Sequence, residues 1–183
     1  MVRRKYVMIF LIKLNDLLTK FLMVLAAVWA FVLTFIIMSD IIGRGAFNSP
    51  VYGVREIVMN SIVIIVFLQA GYAIRSGSML KADFIIDRFP DPIRRAALFI
   101  GYMLGAAFFF TIVAGSIDSA IYSWVANEYE GEGALRVPAW PTRFTILFGG
   151  SLAGINYLIM AYIDIFKPTL IEDGIGTDSP STK

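Results

Sequence analysis

The side chains that could do chemistry in this sequence are few and narrow in type. There is no Cys and no His among its 183 residues. Thiol redox chemistry, disulfides, Cys/His zinc sites, His-ligated haem and every His-dependent triad are therefore excluded. What remains is carboxylates and bases in small groups. Asp40 and Arg44 stand four apart, the spacing at which opposite charges meet on one helix face, and Arg55 and Glu56 follow. Asp118, Glu128, Glu130 and Glu132 form an acidic stretch further on. Oxygen ligands of this kind suit a hard cation, but their spacing matches no Ca²⁺ loop. The stretch reads as a solvated acidic loop, and no catalytic, metal or cofactor site is expected.

The elements that must position these charges are long and apolar. Four uncharged runs, 21–39, 57–74, 96–117 and 144–163, separate them. Each is close to the roughly 20 residues that a helix needs to cross about 30 Å of hydrocarbon. None shows the alternation of a membrane barrel strand. Composition agrees: 58% of residues are apolar and 16% charged, and mean hydropathy is +0.73. Soluble domains run near 45–50% apolar and about 25% charged. A net charge of +2 gives no basic field for nucleic acid. The expected fold is an all-α integral membrane domain of four transmembrane helices.

Basic residues orient it. Five precede the first span (Arg3, Arg4, Lys5, Lys13, Lys20), and Arg44 and Arg55 follow it. Arg75, Lys81, Arg88, Arg94 and Arg95 lie between the second and third spans. Arg136 and Arg143 precede the fourth span, and Lys167 and Lys183 follow it. The alternation predicts both ends in the cytoplasm. Residues 1–20 lack a cleavage site and are interrupted by Lys13, so they do not read as a signal peptide. Val7, Phe10, Leu11, Leu14, Leu17, Leu18 and Phe21 recur at helical spacing, with Lys13, Asp16 and Lys20 on another face. This predicts an amphipathic interfacial helix over 1–20, the alternative being an extension of the first span. The membrane domain is expected over 21–166, and a disordered tail over 167–183.

Helix starts are expected at Ser49-Pro50 and at Asp91-Pro92, each an N-cap followed by Pro. Trp124 and Trp140 bracket the outer loop, where an aromatic belt belongs. Within the spans, Thr34, Asn60, Ser61, Gln69, Thr111, Ser116 and Asn156 read as interhelical hydrogen-bond partners. No ionisable group lies near mid-membrane, which argues against a proton-coupled carrier acting alone. Gly101 with Gly105, and Gly150 with Gly154, are small-xxx-small pairs that allow close helix approach, either within the chain or against another.

The order of several motifs resembles a known family. Asp40-Ile41-Ile42-Gly43-Arg44, then Phe47, Pro50 and Glu56, precede Ala70-Gly71-Tyr72-Ala73-Ile74-Arg75-Ser76-Gly77, Ala82-Asp83-Phe84 and Phe89-Pro90. Val137-Pro138-Ala139-Trp140-Pro141 then opens a Gly-rich fourth span. Together these resemble the small membrane subunit (DctQ-like) of tripartite ATP-independent periplasmic (TRAP) transporters, over most of 17–166. Tyr52 and Arg55-Glu56 depart from the Trp and paired Glu common there, and Ser78 stands where His is frequent.

The resemblance implies a three-part system in a bacterial or archaeal cytoplasmic membrane. A periplasmic substrate-binding protein captures an organic acid, a large permease subunit moves it with sodium, and the small subunit scaffolds the permease. Asp40, Arg44, Glu56, Gly71, Gly101, Gly105, Gly150 and Gly154 are the candidates for structural or partner-contact roles. The outer loop, 122–143, offers Glu128, Glu130, Glu132 and Trp140 to the binding protein, or is a solvated connector. A four-span scaffold of another complex, or a membrane enzyme such as a lipid transferase, would be the competing classes. The latter needs clustered acidic or His/Cys residues.

The native chain has no Cys, so single-cysteine labelling reads topology cleanly. A Cys at Ser78 should resist an impermeant thiol reagent in intact spheroplasts, and one at Glu132 should react. Labelling at Ser78 would invert the assignment.

Overall fold

The computed structural model describes residues 2–49, 51–76, 90–131 and 136–166. Four helices account for nearly all of them: α1 (Val2–Phe47), α2 (Val54–Arg75), α3 (Asp91–Val125) and α4 (Trp140–Phe166). Each contains a stretch long and apolar enough to cross a membrane. At 1.5 Å per residue, α2 is about 33 Å long, close to the hydrocarbon thickness.

The helices form a row. α1 packs along α2, α2 along α4, and α4 along α3. Burial follows this order. Half of the apolar stretch of α4 (50%) is buried within the chain, against 17% for α1 and 11% for α3. α4 is therefore the centre, and α1 and α3 are edges. The core gathers Ala70 and Ile74 of α2, Tyr102 of α3, and Ala153, Met160 and Ala161 of α4.

Glycine sets how closely the row packs. A Cβ on Gly149 would run into the backbone carbonyl of Phe67 on α2. On the other side of α4, a Cβ on Gly150 would fall 2.9 Å from Val113, and one on Gly154 would fall 3.0 Å from the Phe110 ring. Gly105 of α3 receives the Tyr157 ring in the same way, at 2.7 Å. The second small-residue pair and Gly105 are thus spent inside the chain, whereas Gly101 has open space beside it.

Several boundaries differ from the sequence expectation. Over residues 2–20 the chain is helical and runs on into the first span within α1. α2 begins at Val54 rather than after Ser49, behind Gly53 at φ 81°. The chain reverses here in a tight turn, with the Ser49 N–H on the Gly43 carbonyl at 3.1 Å, and only glycine takes that φ without strain. The N-cap of α3 is Pro90, one residue before Asp91, so the proline at 92 lies within the first turn. α3 also outlasts its uncharged run and ends at Val125. Asp118 is therefore helical rather than a loop residue. Beyond α3, Tyr129 pairs antiparallel with Pro138 and Glu130 with Val137.

The contrast between Gly149, packed on α2, and the open Gly101 is testable. Gly149→Ala should destabilise the detergent-solubilised chain by about 1–3 kcal/mol through overpacking. Gly101→Ala should be neutral, or stabilising by up to about 1 kcal/mol through helix propensity. Thermal unfolding followed by circular dichroism separates them, and equal responses would contradict the packing described.

Candidate functional site

Two polar clusters tie the row together at opposite ends of α2. At one end, Asn156 of α4 is fully buried. Its amide donates to the Leu152 carbonyl at 2.8 Å, and its Oδ1 accepts from Asn15 Nδ2 of α1 at 2.6 Å. Gly71 makes room for this bridge, since a Cβ there would press on Thr19, Asn156 and Leu152 at 3.2–3.4 Å. The Thr19 hydroxyl, also buried, is satisfied by the Asn15 and Asp16 carbonyls.

One turn away is an ion pair. Arg75, the last residue of α2, donates from Nε to Asp16 Oδ1 at 2.7 Å, and its Nη2 lies 2.6 Å from the same oxygen. Nη2 makes that charge contact off the hydrogen-bond axis. Nη1 reaches Met160 Sδ of α4 at 3.6 Å. The Arg75 side chain is 5% exposed and that of Asp16 26%. α1, α2 and α4 are thereby joined at one level.

The other end is built around Asn60 of α2. Its Oδ1 accepts from the Thr142 hydroxyl of α4 at 2.6 Å, and its Nδ2 donates to Glu130 Oε2 at 2.9 Å and to the Glu56 carbonyl at 3.2 Å. Glu128 meets Arg143 at 3.0 Å. Two residues of the acidic stretch therefore hold the connection down on α2 and α4. Trp124, Trp140 and Phe144 stack edge to face beside it, with centroids 5.1–6.4 Å apart. Glu132 lies outside the described residues.

At the turn between α1 and α2, Asp40 is the buried member. Its carboxylate pairs with Arg44 at 2.7 Å and accepts the Val51 N–H at 3.0 Å. The Arg44 side chain is 61% exposed. An exposed pair contributes only about 0–1 kcal/mol, so the backbone contact of Asp40 fixes the turn more than Arg44 does. Glu56 is not the partner of Arg44. It lines a cavity of about 280 Å³ with Arg55, Met59, Glu130 and Gly131. A second, apolar cavity of about 460 Å³ lies between α1 and α4, lined by Leu11, Ile12, Asn15, Ile155, Leu158 and Tyr162.

Among the described residues, no three metal-ligating side chains converge. The chemistry available is cohesion, in which polar groups are held by each other across helices. Of the polar span residues, Asn60 and Asn156 bridge helices, whereas Thr34 and Thr111 bond the Ala30 and Ala107 carbonyls of their own helices. The Arg75–Asp16 ion pair escaped sequence reasoning, which placed Asp16 with Lys13 and Lys20 on the face away from the apolar one. A signal existed: Asp16 is the lone carboxylate in a basic segment, and Arg75 ends a span at the same membrane face.

Removing one partner of a buried pair strands the other. Arg75→Leu should therefore destabilise the chain by about 3 kcal/mol, and adding Asp16→Leu should recover much of that loss. Unfolding in mixed micelles followed by tryptophan fluorescence measures both. A double variant as unstable as the single one would show that the pair is not the cause.

The comparisons with known proteins follow this geometry. The family model described as "Tripartite ATP-independent periplasmic transporters, DctQ component" matches residues 33–167. That range begins within α1 and takes in Asp40, the turn after α1, α2, α3 and nearly all of α4. A search of curated proteins returns no significant match.

Proposed function

The chain belongs to the DctQ component family of tripartite ATP-independent periplasmic transporters, and from that premise we propose that it scaffolds a large permease subunit for sodium-driven, binding-protein-dependent uptake of an organic acid. The family match over most of the chain carries this reading. The structure supports the scaffold role in particular: among the described residues, Asn15 with Asn156, and Asn60 with Thr142 and Glu130, are engaged with one another across the row. A carrier acting alone needs ionisable or polar groups facing a substrate or ion pathway.

The membrane is the cytoplasmic membrane of a bacterium or archaeon in this reading, and both chain ends face the cytoplasm. The end of the row carrying Trp124 and Trp140 then faces the periplasm, where the 126–139 connection is available to the binding protein. Because Glu128 and Glu130 are engaged in holding that connection, docking rests on the loop surface they shape, with Glu132 and Trp140 as its contact groups.

Reconstitution tests the proposal. Liposomes holding this chain alone should accumulate no organic acid under an inward sodium gradient. Adding the large permease and the binding protein should start uptake, and removing this chain should abolish it. Uptake by the single chain would overturn the scaffold role. Undiminished uptake without it would show that it does not serve this permease.

A further inference from the structure

Asn60 bonds at once to α4 and to the connection that follows α3, from a position on α2 that is only 7% exposed. A buried amide is costly unless its polar atoms find partners. Here the partners also dictate which way the amide points. The Glu56 carbonyl, at 3.2 Å, and Glu130 Oε2, at 2.9 Å, are both acceptors, so the NH2 group faces them. Oδ1 is then left for the buried Thr142 hydroxyl, at 2.6 Å. Glu130 therefore serves at this point as an acceptor, a task that does not depend on its charge.

These bonds close a ring. It runs from Asn60 to Glu130, across the antiparallel pairing to Val137, along the chain through Trp140 to Thr142, and back to Asn60. Glu128 ties the same connection to α4, through Arg143 at 3.0 Å and through its carbonyl, which accepts the Ala139 N–H at 3.0 Å. The bond from Asn60 to Glu130 carries the connection across to α2. Tyr129 and Trp140 stand exposed on this ring.

We propose that Asn60 is a positioning residue for the periplasmic binding protein: by directing one hydrogen bond at Glu130 and receiving another from Thr142, it holds the surface bearing Tyr129 and Trp140 in the arrangement that the binding protein meets. The inference rests on the docking reading above. It adds the residue that sets the surface, and it gives Glu130 the part of an inward-turned acceptor in place of a charge offered to the partner. Asn60 itself is buried and acts through the ring. An apolar side chain would fill the same space on α2 without the cost of burying an amide, but it would give the connection no direction.

The experiment uses liposomes holding the full chain with the permease, and binding protein added over a range of concentrations. Asn60→Asp sets two carboxylates against each other where a donor met an acceptor. It should raise the concentration of binding protein that gives half-maximal sodium-driven uptake about tenfold, with the maximal rate and permease retention kept. Adding Glu130→Gln restores a donor and an acceptor in the reverse sense and should recover most of that loss. An unchanged half-maximal concentration with Asn60→Asp would overturn the proposal. So would a double variant as impaired as the single one or worse, which is what a docking charge at Glu130 gives. Loss of permease retention with Asn60→Asp would make Asn60 a packing residue and would overturn it too. A photoreactive benzoylphenylalanine in place of Tyr129, in the otherwise unchanged chain, tests the premise separately and should give an adduct with the binding protein. If it gives none, the docking reading itself fails and this inference falls with it.

Discussion

A bilayer offers a buried polar group nothing to bond with, and the rest of this structure follows from how the chain meets that constraint. The polar side chains that bridge its helices are gathered at the two ends of α2. Asn60 with Thr142 and Glu130 closes one end, and Asn156 with Asn15, beside Arg75 with Asp16, closes the other. Between them the contact is apolar and close, set by Gly149 against the Phe67 backbone. α2 and α4 are thus fixed in register at both ends of their contact. α1 joins through Asn15 and Asp16, and α3 through the rings that cover Gly105 and Gly154. A row so pinned is a frame, suited to holding another protein in place.

The long helices were legible because hydrocarbon thickness leaves few alternatives for a run of about 20 uncharged residues. Their ends were less so. Charge marks where a run stops, but a membrane helix continues past a charge if the backbone stays satisfied, as α3 does beyond Asp118 to Val125. The turn after α1 differs from expectation because Ser49-Pro50 has the chemistry of a helix start, whereas the positive-φ backbone that accompanies the reversal belongs to Asn48 and Gly53.

The polar clusters were only partly readable. Asn60 and Asn156 stood out as polar residues inside apolar runs, and both bridge helices. Their partners could not be named, since Asn15 lies 141 positions from Asn156 and Glu130 lies 70 from Asn60. Asp16 and Arg75 look like ordinary flanking charges in one dimension. Only the packing of α1 on α2 turns them into a buried pair. Of the small-residue pairs, sequence gives the capacity for close approach and not the partner, which is why Gly105, Gly150 and Gly154 face inward while Gly101 does not.

The central claim is that the row acts as a static frame during transport. The absence of native Cys allows paired spin labels at Val28 on α1 and Ile93 on α3, both exposed. Pulsed electron paramagnetic resonance would measure their separation in the assembled transporter, before and after addition of sodium and substrate-loaded binding protein. The frame predicts one narrow distance distribution, unchanged between the two conditions. A second population displaced by several ångströms on substrate addition would contradict it.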